Sequence, residues 1–157
     1  MTSTENKPAG PEFSSRKPRM NHVAMSLSPE MLDEEHRRLR ADFLSDVFGF
    51  YDLPMLTEDK HRQVFQVHNI EQFVFLIADE PHMTAPRMDH FGMSVATKDE
   101  FDEVARRAAA WKAKEPDDVD LVDPSVEEYD GFLNLHSFYV RYRLPLMVET
   151  QHFEWLG

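Results

Sequence analysis

The chain says nearly the same thing twice. His22-Val-Ala-Met-Ser-Leu27 returns sixty-eight residues later as His90-Phe-Gly-Met-Ser-Val95, and each copy runs into a helix-start signal. Val23, Met25 and Leu27 alternate with His22, Ala24 and Ser26, and Phe91, Met93 and Val95 alternate with His90, Gly92 and Ser94, which is the period of two that a strand imposes. The histidine holds the same place in both copies, on the face opposite Val23 or Phe91. Such a duplication points to two modules packed as a pair, with a metal between the copies.

The rest of each copy fits one order of elements. Ser28-Pro29-Glu30 reads as a helix start, with Asp33, Glu34 and Glu35 near the positive end of the dipole. Leu32, Leu39, Phe43 and Val47 recur at helical spacing, and Gly49 is the expected terminator. Three strand-like stretches follow, Phe50 to Leu56, Arg62 to His68 and Phe73 to Ala78, bounded by Asp59-Lys60, Asn69 and Pro81. In the second copy Thr97-Lys-Asp-Glu100 has the capping-box pattern, and Phe101, Val104, Ala105, Ala108 and Trp111 form a buried helical stripe. Residues 115–130 carry eight acidic groups and no basic one, so a solvated loop is expected there, with one short strand at most over Val119 to Val122. Phe132 to Tyr142 and Leu146 to Phe153 read as the last two strands, with Arg143 to Pro145 as their turn.

Composition narrows the function classes. Seventeen Lys and Arg against twenty-nine Asp and Glu leave a net charge of −12, a field that repels nucleic acid and anionic lipid surfaces. There is no cysteine, so a metal would have to be held by nitrogen and oxygen, and a reducing, cytoplasmic setting is expected. No apolar run approaches the roughly 20 residues that span a bilayer, and no signal peptide is expected. Residues 1–20 have almost nothing to bury and are expected to be a flexible tail. Residues 21–157 are expected to form a single domain, with module one at about 21–80 and module two at about 88–154.

The candidate chemistry follows from the repeat. If the copies pack about a pseudo-twofold axis, His22 and His90 converge. Glu149 lies on the final strand, on one face with Met147 and Gln151, and a carboxylate in an otherwise apolar strand is costly to bury unless a cation meets it. Two imidazoles and a carboxylate form a facial triad that holds Fe(II), Mn(II) or a related divalent ion with positions left open. His36, His61 and His82 are expected in solvent or loops, and His136 and His152 near the sheet surface. The sequence has no glycine-rich phosphate loop, nucleophile elbow or dinucleotide fingerprint.

Asn21-His22-Val-Ala, Asp46-Val-Phe-Gly-Phe50, Asp89-His90-Phe-Gly-Met and Pro145-Leu-Met-Val-Glu149 resemble the vicinal oxygen chelate superfamily, which includes glyoxalase I, type I extradiol dioxygenases, fosfomycin-modifying thiol transferases and bleomycin-binding proteins. The resemblance implies an α+β fold of paired βαβββ modules, whose curved mixed sheets surround a central cavity, with His22, His90 and Glu149 as metal ligands. Ser137-Phe138-Tyr139, followed by Val148-Glu149, looks most similar to the extradiol dioxygenases, and this implies that Tyr139 touches the substrate. In that family an acid–base histidine stands near the start of the strand at Phe73, where this chain has Gln72 or Phe73; His68 is the nearest histidine. Glyoxalase I adds a glutamate on the last strand of its first module, and Phe73-Val-Phe75-Leu-Ile has no carboxylate. The expectation is therefore a dioxygenase-like metalloenzyme that chelates the vicinal oxygens of a catechol-like substrate on Fe(II). The alternatives are a glyoxalase-like isomerase, epimerase or thiol transferase using the same ligands, or a metal-free protein that sequesters a small molecule such as an antibiotic. A small-molecule substrate, aromatic in the dioxygenase-like reading, and a homodimer are the partners implied.

Overall fold

In the computed structural model, residues 18–56 and 61–157 are described; residues 1–17 of the expected tail and the expected Asp59-Lys60 turn lie outside them. Module one runs β1 (His22–Leu27), α1 (Glu34–Phe48), β2 (Tyr51–Asp52), β3 (Arg62–Gln66), β4 (Phe73–Ala78). Module two runs β5 (His90–Ser94), α2 (Lys98–Lys114), β6 (Asp120–Tyr129), β7 (Leu133–Arg141), β8 (Met147–Trp155). The expected βαβββ order thus occurs twice. Each module makes its own four-stranded mixed sheet, ordered β1-β4-β3-β2 (sheet one) and β5-β8-β7-β6 (sheet two), with the first strand parallel to the last.

The local signals explain the elements, with three revisions. Ser28-Pro29 opens only a 3-10 turn over Pro29–Leu32, and α1 starts after Asp33, whose carboxylate accepts the His36 N–H at 2.8 Å. Gly49 stops α1 in the left-handed conformation, φ 70°, where it avoids the penalty a Cβ would carry. The stretch after it is a two-residue strand and a 3-10 turn over Pro54–Leu56 rather than one continuous strand. Thr97 and Glu100 form the capping box reciprocally at the start of α2. The acidic segment is not a loop. It forms the ten-residue β6, at the edge of sheet two. An edge strand keeps charged side chains in water while its backbone pairs on one side, so acidity reports solvation and not irregular backbone. Pro124 sits where the β6–β7 register shifts between Val122 and Ser125, as expected for a residue that donates no ladder hydrogen bond.

Each helix covers one face of its own sheet, and the helices join the modules. Phe43 of α1 meets Trp111 of α2 edge-to-face at 5.4 Å and Tyr142 at 5.1 Å, and the Trp111 indole N–H donates to Asp46 at 2.7 Å. One buried cluster runs from Met25, Val74 and Leu76 through Phe43 and Trp111 to Phe138 and Val148. Deepest in the contact is Arg40, fully buried, whose guanidinium donates to the Arg143 carbonyl at 2.9 Å, Gln63 Oε1 at 2.6 Å and the Met31 carbonyl at 2.8 Å. Burial pulls its pKa down to about 10, so it remains cationic at neutral pH. Arg143 occupies the turn before β8 at φ 54°, a left-handed position without glycine, and Arg40 holds that turn from inside.

His136 and His152, expected near the surface, are buried cross-strand partners with rings 5.7 Å apart; His136 also bonds Glu154 at 2.9 Å. They lie on the helix-covered face, where Phe101 of α2 closes over His136. Among the described residues no helix is long and apolar enough to cross a membrane.

Candidate functional site

On sheet two the register places His90, Gly92 and Ser94 of β5, Met147, Glu149 and Gln151 of β8, and Ser137 and Tyr139 of β7 on the face away from α2. Glu149 is 7% exposed at its centre. His90 Nε2 lies 3.4 Å from Glu149 Oε2, and the His90 ring meets Tyr139 edge-on at 5.1 Å. Burial, and then the hydrogen bond to Glu149, push the Tyr139 phenol above its ordinary pKa. Tyr139 thus stays protonated and donates to the carboxylate.

The orientation of His90 is informative. Its Nδ1 sits 2.7 Å from the Met88 carbonyl, an acceptor only, so Nδ1 carries a proton and Nε2 is the ring nitrogen turned toward Glu149. Metal-ligating histidines are commonly fixed in this way, by a backbone carbonyl behind the ring. His22 repeats the arrangement, with Nδ1 2.8 Å from Asn21 Oδ1 and its ring stacked on Phe73 at 4.8 Å.

The sequence expectation grouped His22, His90 and Glu149. The structure brings His90, Glu149 and Tyr139 together. His22 sits on β1 of the other sheet, at a groove of about 580 Å³ between the modules that Gly92, Met93, Ser94 and His68 also line. Among the described residues no three His, Asp or Glu side chains are grouped to hold one ion within a single chain. Both β1 and β5 are outer strands of their sheets, and the modules meet through α1 against α2 instead. The donor types nevertheless suit a borderline or hard divalent ion: two oriented imidazoles and a carboxylate shielded from water.

Gly92 was read in the sequence only as part of the repeat, but it has a role at this site. A Cβ built there would lie 3.5 Å from Glu149 Oε2, an ordinary contact, so the missing side chain leaves the approach to the carboxylate open. Gly92→Leu is expected to keep the melting temperature within a few degrees and to block metal uptake, read by elemental analysis.

A variant of the fosfomycin resistance protein FosX from Listeria monocytogenes, solved with Mn(II) and 1S,2S-dihydroxypropylphosphonic acid, superposes with a TM-score of 0.58 at 13% identity, covering 87% of this chain and 93% of that one. Lactoylglutathione lyase from Agrobacterium tumefaciens gives a TM-score of 0.56 at 18% identity, covering 87% and 95%. The fold is the vicinal oxygen chelate fold. FosX from Mesorhizobium loti agrees, with a TM-score of 0.54 at 18% identity over 86% of this chain and 91% of that one. No protein-family model matches the chain, and no curated protein matches it significantly. The vicinal oxygen chelate fold places first and last strands side by side in each module, and here that brings His90 beside Glu149.

Proposed function

We propose that this chain is a metal-dependent enzyme acting on vicinal oxygens by lyase, isomerase or group-transfer chemistry, with its ion held by His90 and Glu149 of one chain and His22 of a second. The observation that carries this reading is His90 Nε2, turned by the bond from Nδ1 to Met88 toward a buried carboxylate 3.4 Å away. The glyoxalase and FosX structures favour this chemistry over the ring-cleaving dioxygenase that the sequence suggested. A bound Mn(II) or Fe(II) would polarise two adjacent substrate oxygens. Tyr139 would position one of them through its hydroxyl, and Glu149 would balance the ion's charge in a site that excludes water.

The second chain is inferred from three features: His22 is separated from its expected partners, the outer edges of β5 and of β1 as far as Met25 carry no strand among the described residues, and the groove between them is lined by Val23, Phe48, Phe91 and Met93. Setting β1 of one copy beside β5 of another covers that groove and delivers the missing imidazole. The test is complementation. His22→Ala and Glu149→Gln chains are each inactive alone, but a mixed dimer pairs the intact His22 of one with the intact Glu149 of the other. Co-expression is expected to restore roughly one quarter of the sites, because half of randomly formed dimers are mixed and each has one good site of two. The absence of rescue, with metal bound by the wild-type monomer, would sink the shared site. A native protein purified without any metal, and unable to take it up, would favour sequestration instead.

A further inference from the structure

We propose that sheet two reads an elongated, neutral or cationic substrate with a terminal aromatic group, which docks on Phe153 and Trp155. This rests on the metal-centre reading and gives it a substrate class. Phe153 and Trp155 follow Glu149 on β8 at intervals of two, so all three share a face. At about 3.3 Å per residue, they lie roughly 13 and 20 Å beyond the carboxylate.

The surface changes character along that line. Next to Glu149 come Gln151 and its cross-strand partner Ser137, which offer an amide and a hydroxyl. Leu135 and Leu133 then pair with Phe153 and Trp155. The Phe153 and Trp155 rings lie near-parallel, 6.5 Å apart, and Phe132 adds a third ring 6.4 Å from Trp155. All three are open to solvent, at 39%, 69% and 48%. A contiguous apolar patch of this kind marks a binding surface, whereas single exposed residues do not.

The charges select among ligands. Arg141, on the same face, is committed to Asp120 at 3.0 Å and to the Pro145 carbonyl at 3.3 Å. At the far end Glu127 accepts from the Tyr129 hydroxyl at 2.6 Å. With a net charge of −12 around it, this surface disfavours an anionic tail. A short phosphonate would also leave the aromatic end untouched.

The experiment uses the full chain supplied with Mn(II), titrated with catechol, 4-phenylcatechol and 4-(biphenyl-4-yl)catechol, which share a chelating head and differ in reach. Affinity is expected to rise along the series. Trp155→Ala should remove about tenfold of the three-ring compound's advantage over catechol, the size of one lost aromatic contact, and Trp155→Phe should recover most of it. A second readout uses the two tryptophans: Trp155 is 69% exposed and Trp111 7%, so quenching by the three-ring compound should vanish with Trp155. An advantage unchanged by Trp155→Ala overturns the proposal. So does a change of oligomeric state in that variant, which would assign the patch to a protein interface. Glu149→Gln separates the two readings: Trp155-dependent binding that survives it upholds the aromatic subsite, even if metal loading proves independent of Glu149.

Discussion

Glu149→Gln is expected to lower bound metal from about one ion per site to background, and turnover by more than about 100-fold, while the metal-free protein melts no lower than wild type. The losses follow from removing the anionic ligand; changes one shell further out already cost 10- to 100-fold in many sites. The unchanged or raised melting temperature follows from burial. Glu149 is 7% exposed, and no Lys or Arg among the described residues pairs with it; the nearest basic group is His90 Nε2 at 3.4 Å. A carboxylate so placed is costly to fold without an ion, and an amide of the same shape is less so. Adding Mn(II) at about 100 times its dissociation constant should stabilise wild type by about 2.7 kcal/mol and leave the variant unmoved. Calorimetry with and without metal reads both. A variant that loses several kcal/mol in the metal-free state would make Glu149 a structural anchor and remove it from the chemistry.

The second large effect is expected far from the site. Arg40→Ala should destabilise the protein by about 3–5 kcal/mol, the usual consequence of breaking a buried charged network. The Gln63 amide, the Met31 carbonyl and the Arg143 carbonyl each lose a donor. At a few degrees per kcal/mol for a chain of this size, the melting temperature falls by about 10 °C. Arg40→Met combined with Gln63→Leu should recover part of the loss, because removing both partners of a buried bond is milder than orphaning one. Chemical denaturation of the three proteins measures this. The Arg40 variant should also bind metal more weakly, because the turn it braces, at Arg143, leads straight into the strand that carries Glu149.

That turn shows where sequence reading stopped. Tyr142-Arg-Leu-Pro145 lacks the glycine expected for such a turn, and the substitute is a guanidinium from a helix 103 residues away. No local pattern encodes such a support. Strand alternation, by contrast, fixed the faces of His22, His90 and Glu149 correctly, because a period of two depends only on neighbouring residues. It could not fix how the modules dock, and His22 therefore carries the right orientation to a place its partners do not share within one chain. His152 and His136 show the same boundary: they are expected near the sheet surface, but that Phe101 roofs their face depends on where α2 lies. Acidity misled over residues 120–129 because charge density reports water, and an edge strand has both water and a ladder.

The rims of the two sheets are unequal. On one side, sheet two ends in β6 with its carboxylates and the Pro124 bulge, and sheet one ends in the two-residue β2, neither of which invites another chain to add a strand. On the other side, the Met83 backbone N–H meets the edge of β1 at Ser26, 3.3 Å from its carbonyl and 2.8 Å from its hydroxyl, whereas β5 carries no comparable guard among the described residues. Among the described residues, strand addition is therefore directed to β5 and to the first part of β1. A pair formed there about a twofold axis would close on itself and not propagate into a filament.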